Sequence, residues 1–173
     1  MSITSLKVNG ASLESLTITG ALNCLLGQYV VASGIKGVIF YANDVVKILS
    51  IDETSKSWGP EGETGAESRT DGATNTNILL STGRSYDAAK WCRDKGESWY
   101  LPAVDEAEDI FKNGSILNDT LSSIGGIQLK TSSSYYWTST EAQARVAYSY
   151  RADIGRCYPY KQEKCSVRAI RAL

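Results

Sequence analysis

An α+β architecture is the fold class predicted by this sequence: two helices beside a small antiparallel sheet, preceded by a short β-hairpin. Three observations predict it. Segments rich in valine, isoleucine and tyrosine occupy both ends of the chain, helical patterns fall only in the middle, and turn residues separate the β segments. With 173 residues and 42% hydrophobic content, the chain can bury one core and carry an appendage. We divide it into residues 1–30, the hairpin, and residues 31–173, the main domain.

Ile3–Val8 and Leu13–Thr19 are short segments around Asn9-Gly10, the strongest short-range hairpin signal. Two strands alone are weakly stable, so the hairpin is expected to pack on the main domain, a second copy or a larger assembly. Tyr29–Val31, Gly37–Tyr41 and Val45–Ile51 read as strands, with Asn43-Asp44 as a turn. Ser55–Asn77, rich in glycine, threonine, serine and acids, reads as a long loop ordered by its own side chains. Ser85 is placed to cap a helix over Tyr86–Lys95, which Gly96 stops. Trp99–Leu101 is extended, and Pro102 opens a second helix through Phe111, ended by Gly114. Val104, Ala107, Ile110 and Phe111 form its apolar face, and Asp105, Glu106, Glu108 and Asp109 its solvated one. Tyr135–Thr138, Val146–Ala152, Cys157–Lys161 and Val167–Ala172 have strand character.

The chain contains no histidine, which excludes Ser-His-Asp and Cys-His mechanisms and removes the commonest transition-metal ligand. Its net charge of -1 gives no field to steer it toward nucleic acid or an anionic membrane. The charge is uneven: acids dominate from Asp52 to Asp71, and bases dominate from Gln143 to the end. The run from Tyr29 to Tyr41 is too short and too interrupted to insert in a bilayer, and Met1–Ser15 lacks the pattern of a signal peptide. Ala21–Cys24 approaches a lipoprotein cleavage site, but Asn23 stands where a small residue is wanted. Four cysteines, Cys24, Cys92, Cys157 and Cys165, form no C-x-x-C pair. Cys92 reads as a small buried hydrophobe, and the spacing of Cys157 and Cys165 accommodates either a disulfide or two free thiols.

If Ala144–Ile154 is a strand, Ala144, Val146, Tyr148, Tyr150, Ala152 and Ile154 share one face, suited to a core. Arg145, Ala147, Ser149, Arg151 and Asp153 share the other. That second face, with Gln143, Arg156, Tyr158, Tyr160 and Gln162 beside it, is the candidate ligand-binding surface. Tyrosine and arginine combine contact area with directional polar groups, as recognition surfaces need. No residue is assigned as catalytic, as a metal ligand or as a cofactor ligand. Glu141 reads as a buried carboxylate holding a loop through backbone amides. Arg168 and Arg171 are expected to pair with acids of the first half, and Trp58, Trp91, Trp99 and Trp137 to be core or near-core aromatics.

Trp91-Cys92, Gly96–Ala103 (GESWYLPA), Tyr136–Glu141 (YWTSTE) and Val167–Ala172 (VRAIRA), in this order, resemble a family of bacterial and phage C-type-lectin-like domains found in Bacteroides-type surface and tail proteins. Thr64–Ala66 and Thr70–Ala73 also match, so the resemblance covers roughly residues 37–172 and leaves the first 30 or so outside. It implies a C-type-lectin-like fold. It extends more distantly to formylglycine-generating enzymes, whose cysteine pattern is not found here, and to variable proteins of diversity-generating retroelements, in which a C-terminal sheet carries the mutable ligand face. The calcium-site triplets of animal lectins are absent. The resulting expectation is a non-enzymatic ligand-binding protein without a cofactor. Its partner would be a protein or glycan on a cell surface, displayed from a bacterial surface or as a phage-tail receptor-binding component, with the N-terminal segment available for homo-oligomer formation. The alternatives are a structural assembly module without its own ligand and an enzyme related to formylglycine formation.

Overall fold

The computed structural model describes residues 6–8, 11–13, 25–32 and 34–173. β1 (Leu6–Val8) and β2 (Ala11–Leu13) pair antiparallel, and β1 pairs in turn with β3 (Tyr29–Ala32). The Asn9-Gly10 turn, most of the predicted second hairpin segment and Cys24 lie outside the described residues. β4 (Ile35–Ala42) and β5 (Val45–Ser50) form the hairpin expected around Asn43-Asp44. Both turn residues have positive φ, 52° and 59°, the mirror-image turn whose twist suits a two-residue connection. β6 (Thr54–Ser57) leads into residues 58–71, which have no regular structure.

Four helices follow rather than two: α1 (Gly72–Ser81), α2 (Asp87–Arg93), α3 (Val104–Lys112) and α4 (Gly114–Ser123). α1 occupies the end of the predicted loop. Its start is set by Asp71, whose carboxylate accepts from Thr74 N at 2.9 Å and Thr74 Oγ1 at 2.7 Å. α4 begins where Gly114 was expected to end the helical region; Asn113 closes α3 and opens α4, and Leu117 and Leu121 bury one stripe of the new helix. Ser85 is not the cap of α2: Tyr86 holds that position without a side-chain bond, and Ser85 Oγ donates to Asp87. Pro102 precedes α3, which starts at Val104 with Ala103 as its cap.

β7 (Tyr136–Glu141), β8 (Ala147–Arg151), β9 (Gly155–Cys157), β10 (Lys164–Val167) and β11 (Ile170–Ala172) complete the chain. The protein is therefore α+β, but with two sheets in place of one small one. Sheet A has the order β11-β5-β4-β3-β1-β2 and sheet B the order β6-β10-β7-β8-β9, all antiparallel except the β10–β7 pair. The predicted last strand is split between them. The chain crosses at Arg168-Ala169, where Arg168 donates to Ser50 O at 3.0 Å and Ile127 O at 2.6 Å, and Ser50 Oγ accepts from Ala169 N.

Sheet A buries Ile39, Val46 and Ile48 in one cluster with Trp58, Leu79, Tyr86, Cys92 and Trp137. Val38, Phe40 and Leu49 belong to a second, with Ile110, Leu117, Leu121 and Tyr136. The strict alternation along β4 and β5 thus fills both faces of the sheet. Trp58, Trp99 and Trp137 are core residues and Trp91 is half-buried, as read from the sequence. Cys157 and Cys165 are free thiols. Between β9 and β10 stand β8 and β7, so the two cysteines are about three strand spacings, roughly 14 Å, apart. A disulfide needs Cα atoms within about 7 Å. Among the described residues, no helix is long and apolar enough to cross a membrane.

Candidate functional site

β8 sits between β7 and β9, with register pairs Trp137↔Ser149↔Cys157 and Tyr136↔Tyr150↔Arg156. The period-two alternation holds, but the faces are the reverse of those predicted. Ala147 and Ser149 are fully buried on the side of the Trp137 ring, where small side chains leave it room. Tyr148 and Tyr150 face the other way and are only half-buried. Tyr150 stacks on Phe111 of α3, with ring centroids 5.2 Å apart and 13° between planes. Ser149 is therefore removed from the candidate surface. Its Oγ is buried and has no hydrogen-bond partner among the described residues.

The remaining candidates do not form one face. Arg156 is half-buried and clamps α3 to the sheet, donating to Glu108 Oε2 from Nε at 3.1 Å and to Asp105 Oδ1 at 3.0 Å. The acids of α3 are consequently not merely solvated. Glu106 is wholly buried: its Oε2 accepts from Ala103 N at 2.7 Å and Gly72 N at 3.2 Å, and its Oε1 pairs with Lys47. Arg151 makes a two-pronged pair with Asp153, at 2.6 and 2.8 Å, and lies over the Tyr135 ring, so the β8–β9 turn is self-contained. Gln143, Arg145 and Gln162 are exposed, and Arg145 Nε approaches Glu61 at 3.3 Å.

An exposed aromatic surface does exist, joining Tyr158 and Tyr160 of the predicted set to Tyr148, which the sequence pattern placed on the core face. Continuing the β8–β9 register places Tyr148 beside Tyr158, and their rings are 4.9 Å apart. Tyr160 bridges to Val146, and Tyr158 and Tyr160 expose 56% and 60% of their surface. The Arg69 guanidinium, which the sequence reading missed, lies 5.6 Å from the Tyr148 ring and 3.7 Å from Asp105. The candidate face is thus Tyr148, Tyr158, Tyr160 and Arg69, with Arg145 at its margin. The signal that could have found it was the antiparallel pairing around Gly155, which puts Tyr148 opposite Tyr158 once that turn is accepted.

Behind this face lies a buried frame. Lys161 is fully buried, pairs with Glu141, donates to Gly62 O at 2.7 Å and lies 4.7 Å over the Trp58 ring. The second oxygen of Glu141 accepts from Thr64 N at 2.7 Å, Thr64 Oγ1 at 2.9 Å and Gly65 N at 3.2 Å. Glu141 therefore holds a loop through backbone amides, as its sequence context suggested. Burial alone would raise its pKa, but the bonds from Lys161 and Thr64 outweigh burial and hold it below the usual glutamate range. Arg168 pairs with Glu53 at 3.2 Å, the partnership expected with an acid of the first half. Among the described residues Arg171 has no such partner: it lies over Trp99, with Nε donating to Ala172 O. Among the described residues, no group of three or more cysteine, aspartate or glutamate side chains gathers to hold a metal ion.

No family model and no curated protein matches this chain. Among solved structures, a fimbrial protein from Bacteroides ovatus ATCC 8483 is similar over 73% of this chain and 35% of its own, with a TM-score of 0.57 and 14% sequence identity. This chain therefore spans about a third of that protein's length, and the likeness is one of fold.

Proposed function

We propose that this is a non-enzymatic ligand-binding module with a C-type-lectin-like fold, and that the Tyr148–Tyr158–Tyr160–Arg69 face is its recognition surface. The observation that carries the reading is two tyrosines more than half exposed, lying beside β8, whose reverse side buries Ala147 and Ser149. Large rings left in water at a rigid site cost little ordering entropy when a partner covers them. The fold likeness to a Bacteroides fimbrial protein is consistent with a displayed, adhesin-like role. A phage-tail receptor-binding component, or a retroelement-diversified variable protein, would use the same surface. The absence of histidine leaves the chain without the usual general base at neutral pH.

The test is a screen of the full chain on glycan and protein arrays, followed by the variants Tyr158→Ala, Tyr160→Ala and Arg145→Glu. Loss of either tyrosine should weaken a genuine hit by about tenfold or more, as central aromatic anchors do. Arg145→Glu, at the margin, should change it less. A hit that tolerates both tyrosine substitutions sinks this surface. A second reading, an assembly module, is favoured by one feature: β2 ends sheet A with β1 as its one strand partner among the described residues, leaving an edge that another chain could extend. Concentration-dependent self-association abolished by removing residues 1–13 would favour it.

A further inference from the structure

A groove of about 670 Å³ opens where β4, β5 and β11 meet the segment joining α2 to Tyr100, and it contains no residue of β8 or β9. Its volume falls in the range of small-ligand sites. Its walls are held by backbone bonds: Tyr100 N to Ile170 O at 2.8 Å, Ile170 N to Tyr100 O at 3.0 Å, Trp99 N to Gly96 O at 2.9 Å and Ser50 N to Ala169 O at 2.9 Å. These bonds fix the Ser50 and Gly96–Trp99 sides of the groove.

Two cations in its lining, Arg171 and Lys36, lack a carboxylate partner among the described residues. Arg145, Arg151, Arg156 and Arg168 each face a carboxylate. Arg171 instead donates from Nε to Ala172 O at 3.2 Å, and its guanidinium lies 6.0 Å from the Trp99 ring centroid. The exposed side chain of Lys36, also lining the groove, has no hydrogen bond or ion pair among the described residues. Burial lowers the pKa of Arg171 with no neighbouring acid to offset it, the mark of a partly dehydrated cation lacking a counter-ion. Lys95 is already engaged by Asp52. Glu97 adds an exposed carboxylate, without a side-chain partner among the described residues, that could accept from hydroxyl groups. Ile35, Ile51 and Trp99 supply a limited apolar patch. Two acids in the lining oppose a polyanion, and so mixed a wall does not suit a long apolar acid.

We infer that this groove binds a carboxylate-bearing sugar, its acid group received by Arg171 and Lys36 and its ring hydroxyls by Glu97 and Ser98. Titration of the isotope-labelled full chain with D-glucuronate, followed by amide NMR, tests it. D-glucose controls for the ring and acetate for the bare anion, while methyl β-D-glucuronide, a singly charged glycoside, separates a chain-terminal source from a free monosaccharide. Glucuronate or the glycoside should shift amides of 95–99 and 170–172, and Arg171→Ala or Lys36→Ala should weaken binding by about fivefold or more, as loss of a charge-assisted contact does. Raising sodium chloride to about 0.5 M should weaken it further through screening. Glu97→Gln should not weaken it by as much as either cation variant. Glucose or acetate shifting the same amides equally overturns the inference, as does the absence of shifts with either acidic ligand. Unchanged binding in both cation variants overturns it too. Lys36 is exposed, so its variant decides the matter if Arg171→Ala does not fold. Tyr158→Ala, which addresses the other surface, should leave glucuronate binding unchanged.

Discussion

Lys161 and Arg145 are joined through the backbone, Lys161 N donating to Arg145 O at 3.0 Å, yet their side chains meet opposite conditions. The Lys161 ammonium is sealed inside, bonded to Glu141 and Gly62 O and capped by the Trp58 ring. The Arg145 side chain is 73% exposed and pairs with Glu61 at 3.3 Å. Each is a cation with a glutamate, but the inner pair organises several backbone groups and the outer pair organises none. Ionic residues here therefore serve two purposes according to depth. Inside, they fix the loop at residues 62–65 against β7; outside, they leave side chains free to be repaired or replaced without disturbing the frame.

Lys161→Met gives the largest contrast. It leaves the Glu141 carboxylate buried without its cation and should lower unfolding free energy by about 3–5 kcal/mol, whereas Arg145→Ala should cost less than about 1 kcal/mol. Urea denaturation at unchanged m-value measures both, and comparable losses would erase the distinction between inner and outer pairs. A smaller effect is expected at the other buried node. A Cβ on Gly72 would stand 2.5 Å from Leu101 O and 2.6 Å from both Ala103 N and Glu106 Oε2. Gly72→Ala should therefore cost about 1–3 kcal/mol by forcing that junction apart. A neutral result would mean that the Glu106 node yields easily, unlike the Glu141 node.

The same depth contrast explains what could be read from the sequence. The β4–β5 hairpin was legible because Asn43-Asp44 is a local turn signal, and the α+β class because apolar periodicity is local too. Glu141 was legible because a carboxylate directly after a run as apolar and hydroxylated as YWTST has few fates but burial. What failed depended on distant partners. α1 was hidden because Gly72, Thr74, Asn75 and Thr76 are poor helix formers, held in place by the Asp71 cap, by Asn75 bonding to Ser68 O and by Thr76 accepting from Leu101 N. Glu106 looked solvated because Lys47, its partner, lies on β5. The two faces of β8 were exchanged because tyrosine satisfies a core face and an aromatic surface equally well in sequence terms. Only the neighbouring Trp137, which needs small residues beside it, decides between them.

Acid should cost stability mainly through the inner carboxylates. Burial alone would raise Glu53, but bonds from Lys130 and Tyr136 and the charge of Arg168 hold its pKa below the usual range, as Lys161 and Thr64 do for Glu141. A depressed folded-state value means that the stabilisation is complete above the unfolded value near about 4.3 and is lost as pH falls through the folded values. Glu106 has the opposite sign: burial, only partly offset by Lys47, raises its pKa, so its protonation recovers part of the loss. Stability should therefore decline as pH falls from about 5 to about 3, and the decline should be shallower in Glu141→Gln than in the parent protein. Equal slopes would remove Glu141 from the acid response.

The smallest expected effect probes the reversed face directly. Ser149 Oγ is buried without a partner, so the hydroxyl carries a desolvation cost with no bond in return. Ser149→Ala keeps the shape beside Trp137 and deletes that cost. It should leave stability unchanged or raise it by up to about 1 kcal/mol, a rare sign for a substitution in a strand core. It should also leave binding at the tyrosine face intact. Were Ser149 on a ligand surface, the same change would be silent in stability and costly in binding. Measuring both on one variant thus separates the two orientations of β8: a gain in melting temperature with unaltered ligand affinity requires the serine inside, and the opposite pair of results requires it outside.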